Sequence, residues 1–213
     1  MQLSGVEQRV LGVLIEKALS QPASYPLTLN AVRVGCNQRS NRHPVMELEE
    51  GEVVEALESL RSKGLTSVVI RETGRTERWE HRASERWGLS EKQLAVLAEL
   101  LLRGPQTEGQ LRAHAARLRP FSGLEELQET VRSLMERGEP LVVTMEKQPG
   151  LRGIRYRHTL YKEGQVPVPA TREEAAAPSG ALAELTARLE ALEKEVASLR
   201  EEVRALRGQS GGT

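Results

Sequence analysis

Leu3-Ser4-Gly5-Val6-Glu7 opens an amphipathic run that continues as Val10-Leu11-x-x-Leu14-Ile15. The pattern returns as Leu89-Ser90-Glu91-Lys92-Gln93 followed by Val96-Leu97-x-x-Leu100-Leu101. In both copies a serine stands three residues before Glu or Gln. At that spacing the hydroxyl accepts an orphan helix N–H while the longer side chain reaches back to the serine N–H. Further on, Val53-x-x-x-Leu57-x-x-Leu60-x-x-x-Gly64 is echoed by Leu127-x-x-x-Val131-x-x-Leu134-x-x-x-Gly138. Each copy closes on Arg-aromatic-x-His, as Arg78-Trp79-Glu80-His81 and as Arg155-Tyr156-Arg157-His158. Helical periodicity in the opening runs and β-branched enrichment toward the close predict helix–helix–helix–strand–strand, twice. The expected fold class is mainly α with small β wings (α+β): two tandem winged-helix modules followed by a C-terminal coiled-coil helix.

The first module is expected over residues 1–88. Its helices reach from the first serine cap to about Ser20, from Leu29 to Cys36 behind a Thr28 cap, and from Glu49 to Lys63 with Gly64 as a left-handed stop. Strands Leu65–Ile70 and Glu77–Arg82 form its wing, joined through Glu72-Thr73-Gly74-Arg75. The second module, 89–162, is predicted to carry helices Glu91–Arg103, Thr107–Arg117 and Leu124–Arg137 and strands Leu141–Glu146 and Ile154–Leu160. The spacing between copies shrinks by about a dozen residues along the chain, so the first copy carries extra loop around its second helix, where insertions are tolerated. Trp87, just ahead of the second module, is expected to seal the two together, and Trp79 and Tyr156 to pack each wing on its helices.

Residues 163–180 are rich in Pro and Ala and read as an extended linker. Beyond it, Leu182, Leu185, Leu189, Leu192, Val196, Leu199, Val203 and Leu206 alternate steps of three and four, the heptad signature of a parallel two-stranded coil over 181–207. The flanking pairs Arg188–Glu193, Glu195–Arg200 and Glu202–Arg207 are opposite in sign across such a dimer. The alternative is one helix folding back on the modules. The expected assembly is a homodimer through this segment.

Formal net charge is zero, so the whole-chain charge favours neither nucleic acid nor an acidic membrane surface. A single cysteine, Cys36, excludes an internal disulfide and fits a reducing compartment. No apolar run is long enough to span a bilayer and no signal-peptide pattern precedes the first helix, so a cytoplasmic location without membrane association is expected. There is no aspartate, which rules out Asp-based catalytic schemes. Arginine greatly outnumbers lysine and Asn is scarce, a composition that suits a heat-adapted source.

Tyr25-Pro26-Leu27-Thr28-Leu29-Asn30-Ala31, Cys36-Asn37-Gln38-Arg39-Ser40-Asn41-Arg42-His43-Pro44-Val45-Met46, Leu102-Arg103-Gly104-Pro105-Gln106-Thr107 and Arg119-Pro120-Phe121 occur in this order. With Arg78-Trp79-Glu80-His81-Arg82 they resemble the YceH-like family of uncharacterised bacterial proteins. The resemblance covers about residues 3–160. It implies a tandem winged-helix fold, and it implies no activity, substrate or catalytic residue. The heptad segment lies outside it.

In a helix-turn-helix protein the exposed face of the third helix enters the major groove. Here that face offers Glu52, Glu55, Glu58, Ser59 and Ser62 in the first module and Glu125, Glu129, Arg132 and Glu136 in the second, and the glutamates that dominate both repel phosphate. Acids early in a helix also match its dipole. Basic groups lie elsewhere. Arg33, Arg39 and Arg42 are interleaved with Asn37, Gln38 and Asn41, and the second wing carries Lys147, Arg152 and Arg155. These are the candidate contacts to double-stranded DNA, and the expected function is a non-enzymatic DNA-associated regulator. The alternative is an adaptor that binds a basic protein partner at Glu52, Glu55 and Glu58. Cys36 with His43 lacks the second ligand pair that a zinc site needs, and His81, His114 and His158 are scattered. No metal, no cofactor and no nucleophile–base pair is expected.

Overall fold

The computed structural model describes residues 1–70, 76–145 and 153–162. The linker, the heptad segment with its Leu/Val positions, and wing residues Lys147 and Arg152 lie outside the described residues. The elements are α1 (Gly5–Ser20), a 3-10 turn (Pro22–Ser24), α2 (Leu29–Cys36), α3 (Glu50–Ser62), β1 (Thr66–Ile70), β2 (Glu77–His81), α4 (Ala83–Trp87), α5 (Glu91–Arg103), β3 (Gln106–Thr107), α6 (Glu108–Ala115), α7 (Leu124–Met135), β4 (Val142–Thr144) and β5 (Arg155–His158). The chain is thus α+β, helices with two small antiparallel sheets.

Local chemistry places the helix starts where the sequence predicts them. Ser4 Oγ accepts the Glu7 N–H at 3.2 Å while the Glu7 carboxylate accepts the Ser4 N–H at 2.6 Å. Ser90 and Gln93 repeat the exchange at the head of α5, and Thr107 and Gln110 repeat it at the head of α6. Thr28 caps α2 through the Ala31 N–H. Gly64 has φ +72°, a left-handed stop that releases the chain into β1. The sequence expectation ran α6 and α7 a turn or less too far at their C-termini and overlooked α4 and β3.

β3 carries the duplication further than the motifs do. It pairs antiparallel with β5, Gln106 opposite Tyr156, in a sheet ordered β3-β5-β4. In the first half Leu27 makes the matching antiparallel bridge to Trp79, with hydrogen bonds of 3.0 and 2.7 Å. Trp79 and Tyr156 are repeat-equivalent, so one strand position receives the segment ahead of the second helix in both halves. Trp79 is buried, packing the β1–β2 pair on the helices, and Tyr156 is half-buried against the same core.

The two halves share one hydrophobic core and one compact unit. Helix α1 lies against α5, and every residue from Glu7 to Ile15 is buried. Gly12 is what allows the approach: a Cβ there would stand 2.9 Å from Leu102 Cδ2 and 3.1 Å from Leu101 Cβ. Backbone bonds tie the ends. The Leu3 N–H donates to Leu160 O at 2.8 Å, and the His43 N–H donates to Leu102 O at 2.8 Å. Trp87, half-buried at the end of α4, packs on the common core and its carbonyl accepts from Arg137 of the second half, but the α1–α5 pair makes the larger joint. Gly12→Val should overpack this seam and cost about 1–3 kcal/mol. Because the core is common, urea denaturation followed by far-UV circular dichroism should show one transition at lower midpoint, not two.

His158, on β5, is fully buried. Its ring stacks on Tyr161 at 3.8 Å between centroids, and its Nδ1 accepts the Leu160 N–H at 3.2 Å. Burial, with a smaller contribution from Arg157, pulls its pKa down to about 3. The unfolded chain, with an ordinary imidazole near 6.5, therefore binds the extra proton between those values. The stability His158 contributes is complete above about pH 6.5 and drains as pH falls toward 3. Between pH 6.5 and 4.5, where few carboxylates titrate, the slope should approach about 1.4 kcal/mol per pH unit per linked proton. His158→Phe should lessen the slope by about one proton's worth without abolishing it, because burial also holds His81 and His114 below the ordinary imidazole value, as measured by urea unfolding at stepped pH.

Candidate functional site

The insertion between α2 and α3 holds most of the residues that the sequence nominates for DNA contact, and the structure spends most of them internally. Asn37 stitches the two ends of the loop: its Nδ2 donates to Leu48 O at 2.9 Å and its Oδ1 accepts the Leu48 N–H at 2.8 Å. Asn41 adopts φ +61°, a left-handed conformation that Asn tolerates. That turn sends Arg42 inward. Its guanidinium forks onto Glu16 of α1 at 3.0 and 2.6 Å, and it also donates to Gly35 O at 3.1 Å and Gln38 Oε1 at 2.9 Å. The Arg42 side chain has no exposed surface. Arg42 as a phosphate contact is therefore corrected: it is a buried strut between the loop and α1. Gln38 is engaged with it.

The remaining nominated residues separate. Arg39 is exposed and makes no hydrogen bond or ion pair among the described residues. Arg33 is half-buried, 3.4 Å from Asn30 Oδ1. Arg155, on β5, is half-buried and 3.4 Å from Gln110 Oε1. Lys147 and Arg152 fall outside the described residues.

Around the loop lies a charged seam that the sequence reading missed. Arg103, at the end of α5, donates from Nη2 to Asn41 Oδ1, linking the loop of the first half to the second. Its Nε stands 3.0 Å from Glu99 Oε2, off the N–H axis, so the pair is ionic without a linear hydrogen bond. Burial pushes the Glu99 carboxyl above its ordinary range, against the pull of Arg103. Gln106 donates to Glu99 O at 3.1 Å, which leaves its own Oε1 to accept from His114 Nδ1 at 2.7 Å. That assigns the neutral Nδ1–H tautomer, and His114 Nε2 then faces Arg103 Nη1 at 3.4 Å. Burial first, then Arg103 and Arg117, pull the His114 pKa to about 4. The seam thus brings Asn41, Arg103, His114 and Arg117 together from both halves. A signal was present: Glu99 is the single charge in Leu94–Leu102, on a face otherwise apolar.

The acidic faces stand as the sequence predicts. Val53, Leu57 and Leu60 of α3 point into the core, as do Leu127, Val131 and Leu134 of α7. Glu52, Glu55 and Glu58 are exposed, as are Glu125, Glu129 and Glu136. Glu52 returns to its own helix start, accepting the Glu49 N–H at 2.8 Å, and Glu58 lies 3.5 Å from Arg61. Glu55 has no partner among the described residues. Cys36 is a buried core residue whose thiol burial raises to about 12, so it is no thiolate at neutral pH. Among the described residues no three His, Cys or Glu side chains converge as a metal ligand set.

The model of a family described as a protein of unknown function, DUF480, matches residues 3–151. The chain belongs to this family. Among its curated relatives, a UPF0502 protein of Geobacter sulfurreducens is 48% identical over 200 residues, covering 92% of this chain and 90% of the relative. One from Pelobacter propionicus is 45% identical over 207 residues (97% and 94%), and one from Mesorhizobium japonicum is 46% identical over 206 residues (97% and 97%). These family alignments extend past the last described residue, so the similarity reaches into the heptad segment rather than ending near residue 160.

The two loop arginines should behave oppositely. Arg42→Ala strands the partly buried Glu16 and should cost about 3–5 kcal/mol. Arg39→Ala should stay within about 0.5 kcal/mol of the parent. Guanidinium denaturation of the two variants makes the comparison, and equal losses would contradict the internal role of Arg42.

Proposed function

We propose that this family member is a tandem winged-helix adaptor, non-enzymatic, that docks a basic protein segment on the exposed acidic faces of α3 and α7. The winged-helix reading is supported by the order α5-β3-α6-α7-β4-β5 with β3 paired to β5, and by the Leu27–Trp79 bridge at the matching place in the first half. The observation that carries the adaptor reading is the charge of the third-helix faces. Glu55 on α3, Glu125 and Glu129 on α7 and Glu136 at the C-terminal cap of α7 are exposed with no ion pair among the described residues, and Arg132 is the one exposed base on α7. Such faces repel a duplex where a winged helix would insert, and they attract Lys- and Arg-bearing segments.

Direct DNA binding is the second reading. It is favoured by exposed Arg39 near Asn41 and by exposed Arg117 after α6, whose charge acts on Arg103, the partner of Asn41. The heptad over 181–207 would double either surface in a parallel homodimer, and the single buried cysteine suits a cytoplasmic protein.

Two measurements separate the readings. In mobility-shift titrations at about 50 mM salt, where phosphate contacts are strong, the adaptor should not retard duplex DNA. In quantitative affinity capture, a partner retained stoichiometrically by the parent should be lost with Glu55→Lys/Glu58→Lys/Glu129→Lys. A steeply salt-dependent DNA shift abolished by Arg39→Glu/Arg117→Glu would replace the adaptor reading with the DNA one.

A further inference from the structure

A cavity of about 180 Å³ opens at the seam, lined by Gly5, Gln8 and Arg9 of α1, His43, Pro44 and Met46 of the loop before α3, Leu101 and Gly104 at the end of α5, and Tyr161 after β5. Its walls come from both halves. Most are apolar, but Arg9 is out of place among them. Arg9 is 1% exposed, and its guanidinium donates to two backbone carbonyls, Cys36 O at 2.9 Å and Pro44 O at 2.5 Å. A guanidinium has five N–H donors. The Nε of Arg9 has no partner, and neither does the buried hydroxyl of Tyr161.

The local charge does not balance. Arg9 and Arg42 are both buried and feel each other's charge, and Glu16 is the carboxylate that acts on Arg9. Glu16 already grips Arg42 through both oxygens. One buried positive charge is left over. Burial and the neighbouring Arg42 lower the Arg9 pKa only to about 10, so the guanidinium stays cationic at neutral pH. Unpaired buried charge is costly and is normally compensated. The repeat does not demand it either: the equivalent position in α5 is Ala95, buried in the same core without a charge.

We propose that this cavity is a binding site for a small monocarboxylate, whose anionic head balances Arg9 and whose short apolar tail lies along Met46 and Leu101. Size agrees with that class. A cavity of about 150 Å³ accepts a benzene-sized guest, so the space suits a ligand of roughly six to eight heavy atoms. An inorganic oxyanion would satisfy the charge but leave the apolar wall unfilled. The site is independent of the acidic faces and of DNA binding, and it lies where a ligand touches both halves at once.

The test uses the full chain and three sodium salts, butyrate, phosphate and chloride, at matched ionic strength, with thermal unfolding and ¹H–¹⁵N spectra as readouts. Butyrate should raise the unfolding midpoint saturably, by about 2–4 °C once it exceeds its dissociation constant about fivefold. It should shift the amide signals of Gly5 and Gln8. Phosphate and chloride should do neither. Arg9→Met should abolish the response. Since that variant alters a buried residue, Gly5→Leu is the second: an added Cβ there meets only the Met46 methyl, at 3.8 Å, and the longer side chain narrows the cavity while Arg9 remains. Loss of the butyrate response in Gly5→Leu supports the site even if Arg9→Met fails to fold. A butyrate effect matched by chloride, shared equally by phosphate, or undiminished in Gly5→Leu would overturn it.

Discussion

The rest of the structure depends on the close packing of α1 against α5. Gly12 has no room for a side chain beside Leu101 and Leu102, so the two helices approach at the distance that backbone contact allows. Close-packed interiors tolerate little change in volume. With Glu7–Ile15 of α1 entirely buried, the halves stop being independent modules and become two flanks of one core. Everything polar that falls on this seam has then to be satisfied by the protein itself.

That requirement explains the polar residues around the seam. Glu16 and Glu99 each find an arginine, Arg42 and Arg103; Gln38 and Asn41 accept from those two arginines, while Asn37 and Gln106 bind the backbone of Leu48 and Glu99. A run of Asn, Gln and Arg resembles a nucleic-acid-reading loop because the same donors that suit phosphate and base edges also suit buried carboxylates and carbonyl oxygens. Residue types alone do not distinguish the two uses. What distinguishes them here is the left-handed turn at Asn41, which aims Arg42 inward and leaves Arg39 outside. The accounting is not closed everywhere: Arg9 Nε and the Tyr161 hydroxyl have no hydrogen-bond partner, and both residues line the same open space.

The third-helix faces follow a different logic. Their glutamates sit on solvent, so the fold needs them only in part, as caps and as partners of the helix dipole. Glu52 and Glu49 serve α3 in that way. Glu125, in the first turn of α7, also matches the dipole, whereas Glu55, Glu129 and Glu136 have no such role in the described structure, which makes them available to a partner.

Much of this was legible in the chain. Capping boxes at Ser4 and Ser90, the left-handed stop at Gly64 and the helical periods are local features, decided within a turn or two of sequence, and the structure agrees with them closely. The two-residue strand β3 and helix α4 were not legible, since pieces that short carry no period and exist only because β5 and α5 receive them. Which polar residues belong to a site was not legible either. The repeat and the two acidic faces are properties of spacing along one helix, and the sequence by itself determined them. Whether Arg42, Asn41 and Arg103 face water or one another depends on residues far apart in the chain, such as Glu16 and Glu99, and on how closely Gly12 lets two helices meet. Only the tertiary structure decided that, because burial and charge pairing are set by what packs opposite a residue, not by what precedes it.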